Sequence, residues 1–268
     1  MVSLTTAARR PRHLAVAVLA GLVILAGATA CEPARVTQKD RPIIFVHGWS
    51  AFGNGDDCRS NFGGLENKLR ADGFTGQMVT ISYYDSDKNC DVSLSNWGSI
   101  SNSTSWKDLS KAFSKYIYTT YTSKGITVDL VGHSMGGLII RGAVYGSAKG
   151  ESGFSAPIKV EDAVTLAAPH NGAAWYSTGC LWGQCSGLKP GATDINWVNG
   201  DGNPQGPGGT EWTVLGSTDD DTVPAASATY MFLPDNRKVV YSNLEHSDYM
   251  SNATSQARTS QALAEPNA

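Results

Sequence analysis

The stretch that most constrains the fold is Ile126-Thr-Val-Asp-Leu-Val-Gly-His-Ser-Met-Gly-Gly-Leu-Ile-Ile-Arg141. A short β-branched run passes through Gly-His-Ser-Met-Gly directly into a helical pattern, which reads as strand, sharp turn and helix with Ser134 at the apex. A serine on so tight a turn tolerates almost no side chain two positions to either side, because bulk there collides as the chain reverses. Gly132 and Gly136 meet that need. In a chain with 29 glycines the five-letter pattern alone has little weight, and a Gly-rich connection is the plain alternative. The strand before it and the helix after it supply the context that a nucleophile requires.

At the amino terminus Arg9, Arg10 and Arg12 precede an apolar run from Leu14 to Ala28 and then Ala28-Thr-Ala-Cys31. Positive, apolar and small-residue regions in that order read as an export signal over residues 1–30. The run is shorter than the ~20 apolar residues of a membrane span. The mature chain is therefore expected to begin near Cys31 and to work outside the cytoplasm. Residues 31–40 are polar with a proline and read as a tether, and residues 41–268 as one domain. A formal net charge of −3 without a basic stripe argues against nucleic acid as a partner, and a monomer is expected.

Within that domain, Ile43 to Val46 reads as a buried parallel strand stopped by His47-Gly48. Leu65 to Asp72 reads as a short helix ending at Gly73, Met78 to Tyr84 as a strand, and Ser86 to Ser105 as a surface loop. From Trp106 the positions Leu109, Phe113, Ile117 and Tyr121 recur at helical spacing until Gly125, and their aromatics read as core. Val160 to Leu166 is a further strand, running into Ala167-Ala-Pro-His-Asn-Gly172. Trp175 to Pro207 breaks the alternation and is too long for a bare connection, so residues 173–209 are expected to form a compact excursion over the site. Glu211 to Leu215 and Arg237 to Tyr241 resume the sheet, and a last helix runs to about Ala264. Five or six strands alternating with helices place the chain in the α/β class, a single domain with a mostly parallel, doubly wound sheet flanked by helices.

Serine is a poor nucleophile at neutral pH, so Ser134 needs a base in hydrogen-bond reach and the base needs an acid to fix its tautomer. The chain has five histidines. His13 leaves with the signal, His47 ends the first strand, and His133 stands beside the serine on the wrong side of the turn. His170 lies in a Pro-His-Asn-Gly turn that suits a structural role or a place in the wall of the site. His246, in the loop after the last strand, is the expected base. The acid is expected in the loop after the Thr213 strand, where Asp219, Asp220 and Asp221 compete. The spacing to Val223-Pro224 selects Asp220, with Asp219 second and Asp221 third. Three consecutive carboxylates lack the alternating spacing of a calcium loop, so no metal is expected. Two backbone N–H groups should face the negative oxygen of the transition state. Met135 at the helix start supplies one and Trp49, after His47-Gly48, the other; Gly48 permits the close approach.

Phe45-Val-His-Gly-Trp49, Gly132-His-Ser-Met-Gly136, Ala168-Pro-His-Asn-Gly172, Asp220 with Val223-Pro224, and His246 together resemble the α/β-hydrolase fold, and specifically secreted bacterial lipases and esterases related to the small Bacillus-type lipases. The resemblance runs from Arg41 over most of the mature chain. It implies no cofactor, a Ser-His-Asp triad, and hydrolysis of carboxylic esters, acylglycerols among them, through an acyl-enzyme. An ester or lipid substrate is thus the expected partner. An acyltransferase on the same scaffold, or a surface lipoprotein that binds without catalysing, are the alternatives. The chain departs from the smallest members in its longer loop from Ala173 to Gly209, where Trp175 and Trp182 are expected acyl contacts with His170 beside them. It departs also in its cysteines.

Five cysteines are an odd number for an exported chain. Cys31 sits at the cleavage junction, where it is either the lipid-bearing first residue of a bacterial lipoprotein, anchored to the outer face of the membrane, or a free thiol. The other four pair most simply by proximity, Cys58 with Cys90 and Cys180 with Cys185.

Overall fold

Ile43–Val46 is apolar at every position because both of its faces are covered. This is β1, near the middle of a sheet whose strands are β2 (Met78–Ser82), β3 (Val92–Ser93), β4 (Val128–His133), β5 (Val160–Leu166), β6 (Glu211–Ser217) and β7 (Lys238–Tyr241). The order is β3-β2-β1-β4-β5-β6-β7 and every pairing is parallel. The structure is a computed structural model that describes residues 38–50, 54–174, 183–201, 206 and 209–265, together with Met1. The residues from 35 onward form one compact unit.

Helices α1 (Cys58–Ala71), α2 (Trp106–Thr120), α3 (Met135–Ala148) and α7 (Ala253–Ala262) flank the sheet; α4 (Gly183–Ser186), α5 (Thr193–Val198) and α6 (Ala225–Ala228) are short. Ile44, Val46, Leu130 and Val214 pack with α2 and α3 through Trp106, Phe113, Leu138 and Ile139. Ile43, Phe45, Val131 and Leu215 pack on the opposite face with Phe62, Leu65 and Leu69 of α1 and with Ala262 of α7. Successive strand residues thus alternate between two apolar layers, the expected pattern of a parallel sheet covered on both sides.

The strand order reverses between β1 and β4, since the chain moves outward from β1 to β3 and then returns to β1's other side. Connections leaving β1 and β4 therefore diverge, and the crevice between their carboxyl ends is where such sheets bind ligands. Val46 pairs with Gly132, so Gly48 and Ser134, each two residues on, stand level with one another.

Several elements differ from the sequence expectation. The sheet has seven strands, because Val92–Ser93 within the Ser- and Asn-rich loop adds to Ile81 and Ser82. Helix α1 starts at Cys58, seven residues before Leu65, with Asp57 accepting from the Ser60 amide at its N-cap. Its first turns set Arg59, Ser60, Asn61, Gly63 and Gly64 around Cys58 and Phe62, which continue the buried stripe of Leu65 and Leu69. Strand β7 starts at Lys238, since Arg237 ends a short turn and pairs with Glu211 and Glu265. Lys39, assigned to the tether, already joins the fold through its carbonyl, which accepts from the amides of Thr75 and Gly76.

The amino ends of the central strands share one buried ion cluster. Arg41 Nε lies 2.9 Å from Asp129 Oδ1 and its Nη2 2.8 Å from Asp162 Oδ2. Burial pushes both carboxyls above the ordinary carboxylate value, Asp162 being raised further by the charge of Asp129, while Arg41 pulls each back.

Candidate active site

Ser134 has φ 54° and ψ −127°, a conformation that side chains rarely adopt, and its amide is held by the Leu166 carbonyl at 2.8 Å. The glycines around it are required by contact. A Cβ on Gly132 would lie 2.7 Å from the Gly136 carbonyl, and one on Gly136 2.1 Å from Val46 O. Ser134 occupies the N-cap of α3, yet its hydroxyl makes no cap bond. It points instead to His246, whose Nε2 lies 2.9 Å from Oγ.

His246 Nδ1 lies 2.9 Å from Asp220 Oδ2 and 3.2 Å from Oδ1. Of the three competing carboxylates only Asp220 is buried; Asp219 and Asp221 are exposed. The amides of Thr222 and Val223 donate to Asp220 Oδ1 at 2.9 and 2.8 Å, which turns the carboxylate toward the imidazole. Burial alone raises the Asp220 pKa, but the His246 N–H and its charge, with those two amides, outweigh it and hold the group below the ordinary carboxylate value. Tyr249, wholly buried, donates its hydroxyl to Oδ2 at 3.4 Å.

His133 has a place that its sequence position did not reveal. Its Nε2 donates to the backbone carbonyl of His246 at 2.8 Å, and the two rings stand 5.0 Å apart. Burial, with the neighbouring His246, pulls its pKa down to about 3, so it remains neutral beside the His246 ring. The only sequence signal was its adjacency to Ser134.

On the other side of the serine, a Cβ on Gly48 would lie 2.8 Å from Ser134 Cβ and 3.3 Å from Oγ. The Gly48–Trp49 peptide therefore borders Ser134, as does the first turn of α3, which begins at Met135. First-turn amides of a helix have no acceptor within the helix and face outward with the positive end of its dipole. His47 turns away from the serine into the fold, with no exposed surface. His170 is wholly enclosed, its Nε2 2.9 Å from Thr165 Oγ1 and its carbonyl accepting from Asn199, a placement of packing beneath the site rather than of a wall open to substrate. Burial drives its pKa well below the ordinary histidine value.

Cys58 and Cys90 form a disulfide. Cys185 is also disulfide-bonded, to a residue outside those described. Residues 2–30, read from the sequence as an export signal, and Cys31, Trp175, Cys180 and Trp182 lie outside the described residues. Among the described residues, no His, Cys, Asp and Glu cluster is placed to hold a metal ion, and no helix is long and apolar enough to cross a membrane. A cavity of about 240 Å³ opens between Asn199, Ala226 and the Tyr230–Phe232 segment, but Ser134, His246 and Asp220 are not in its lining.

The fold is that of known α/β hydrolases. The mature lipase BlEst2 of Bacillus licheniformis aligns at 15% identity with a TM-score of 0.58, over 87% of this chain and 96% of its own. The lin2722 gene product of Listeria innocua aligns at 16% and 0.55, over 85% and 96%. Lipase B of Aspergillus fumigatus aligns at 16% and 0.57, over 85% of this chain and 53% of its own length. At such identities these likenesses establish the fold. No curated protein matches the chain in sequence. The family model described as the PGAP1-like alpha/beta domain matches residues 37–179, more than half of the length, and the chain belongs to that family.

Proposed function

We propose that the chain is an exported serine ester hydrolase of the lipase and esterase kind, acting through an acyl-enzyme. The observation that carries this reading is the continuous hydrogen-bond chain from Asp220 through His246 to Ser134 Oγ. In it Asp220 keeps the proton on Nδ1, leaving the Nε2 lone pair for the serine hydroxyl. As Oγ attacks the ester carbonyl its proton passes to Nε2, and the carbonyl oxygen becomes negative. The amides of Met135 and Trp49 receive that charge, helped by the dipole of α3. Collapse expels the alcohol with the proton from Nε2, and water then repeats the sequence on the acyl-enzyme.

Lipid-like esters are the proposed substrates, a choice supported by the fold shared with proteins described as lipases. Residues 173–209, with Trp175 and Trp182, supply the acyl-binding wall in this reading. Export is supported by the amino-terminal signal pattern and by the Cys58–Cys90 disulfide, a bond that persists in oxidising compartments. Cys31 is then either the point at which a lipid anchor attaches or the first residue of a freely secreted chain, and the enzyme works as a monomer.

Treatment with an organophosphonate ester probe tests the reading. One adduct is expected, on the peptide that contains Ser134, absent from Ser134→Ala. A chain that stays unlabelled and cleaves neither short nor long acyl esters sinks it.

A further inference from the structure

The end of β2 and the loop after β1 are joined by hydrogen bonds that the triad does not use. Tyr83 Oη lies 2.5 Å from the Gly48 carbonyl and 2.7 Å from the His47 carbonyl, so its single hydrogen sits between the two. His47 Nδ1 lies 2.9 Å from the same Gly48 carbonyl. The His47 ring stacks on Tyr83, with centroids 4.2 Å apart and planes 11° from parallel. Its Nε2 reaches Asp87 Oδ2 at 3.0 Å.

Asp87 has no exposed side-chain surface, and its carboxylate collects every nearby donor. The amides of Tyr83, Tyr84 and Asp56 donate to it at 2.8, 2.9 and 2.8 Å, besides His47. Burial raises its pKa, but the His47 hydrogen bond and charge and the two tyrosine amides outweigh this and hold it below the ordinary value. The Lys88 amide bonds Asp56 O at 2.8 Å, and the Cys58–Cys90 disulfide closes the same junction. Tyr83 therefore stands on a rigid base. Burial keeps its hydroxyl protonated far above neutral pH, so it is a permanent donor.

A peptide unit is planar and trans, so its carbonyl and the following N–H point in opposite directions. Fixing the Gly48 carbonyl on one side fixes the Trp49 N–H on the other, and Gly48 itself abuts Ser134. We infer that Tyr83 and His47, held by Asp87, are positioning residues for ester hydrolysis: they lock the plane of the Gly48–Trp49 peptide and so aim the Trp49 N–H at the oxyanion. The inference rests on the hydrolase reading above. It assigns to two buried side chains a job in the transition state alone, since the ground-state ester oxygen carries little charge.

The test is Tyr83→Phe in the full chain, which keeps the stacked ring and removes only the hydroxyl. Steady-state kinetics on a soluble ester should show kcat lowered about 10- to 100-fold with KM within about twofold, a smaller loss than deleting an oxyanion donor outright. A trifluoromethyl ketone, which adds the serine to form an oxyanion, should lose affinity by a similar factor, whereas the matching methyl ketone should bind as before. Tyr116→Phe removes another buried tyrosine hydroxyl, which bonds Tyr121 five residues on, and serves as the control for stability. It should lower Tm comparably without changing the ratio of the two ketone affinities. A Tyr83→Phe enzyme with unchanged kcat, or one whose two ketone affinities fall together, overturns the inference while leaving the hydrolase reading intact. A wild-type chain that cleaves no ester overturns both. If Tyr83→Phe fails to fold, His47→Gln takes its place, with the same split between the ketones expected.

Discussion

His133 Nε2 donates to the carbonyl oxygen of His246 across 2.8 Å, so the residue next to the serine holds the backbone of the residue that faces the serine. Removing that donor with His133→Phe should leave the His246 loop loosely placed. We expect kcat to fall about tenfold with KM nearly constant, and stability to fall by about 1–3 kcal/mol for the carbonyl left without its partner. Kinetics beside urea titration measure the two effects separately, and an unchanged kcat would deny His133 this role.

Ser134→Ala and His246→Ala should each lower ester hydrolysis by several orders of magnitude without lowering Tm much. Because such groups act as a unit, the double variant should be little worse than either single one. Losses that multiply would mean that the two side chains act independently.

Asp220→Asn should cost on the order of a thousandfold in kcat or more, with Asp219→Asn and Asp221→Asn close to wild type. The same variant carries a pH prediction. The folded-state pKa of Asp220 is depressed, so its ionisation contributes stability that is present in full above the unfolded value, about 4, and is lost as pH falls through the folded value. Tm recorded from pH 5 to pH 2.5 should therefore fall less steeply for Asp220→Asn than for wild type.

Arg41→Met leaves Asp129 and Asp162 buried without their shared cation. At neutral pH it should cost about 3–5 kcal/mol. Both carboxyls have raised pKa values, so they bind protons more tightly folded than unfolded, and their contribution falls as pH rises from about 4 through the raised values. Without Arg41 the slope steepens. Denaturant midpoints should show the defect shrinking as pH is lowered from 8 to 5, and a pH-independent defect would contradict this account of the cluster.

Peptide mapping without reduction should recover Cys58 joined to Cys90 and Cys185 joined to Cys180. Replacing Cys58 and Cys90 together by serine should cost about 3–4 kcal/mol on the loop-closure model for a separation of 32 residues. Cys185 found with Cys31 would remove the lipid anchor from the proposal.

Much of the fold was legible because β1 is a continuous apolar run, β5 and β6 each hold a cluster of β-branched and apolar residues, and the Gly132–Gly136 turn lies between a β-branched run and a helical period. What escaped has a physical reason in each case. The start of α1 is marked by the Asp57 cap and a disulfide, with Gly63 and Gly64 interrupting the Cys58-Phe62-Leu65-Leu69 stripe, and β3 is two residues long, held by pairing to β2 and by Asp91 bonding Thr80. Asp220 stood apart from Asp219 and Asp221 only by its spacing to Val223-Pro224, and its burial is something a run of identical residues does not display. His133 could not be read from its neighbours, because its partner returns 113 residues later. The tasks of Tyr83 and Asp87 likewise depend on contacts 35 and 40 residues away.

The glycines of the serine turn have a consequence for anyone who would alter this protein. Gly136 lies directly against the Val46 carbonyl, Gly137 leaves no space before Ala168, and Gly48 leaves none before Ser134. The serine turn is thus seated main chain on main chain at Gly136, and against single small side chains at Gly137 and Gly48. Libraries that randomise this half of the site will mostly return clones that do not fold.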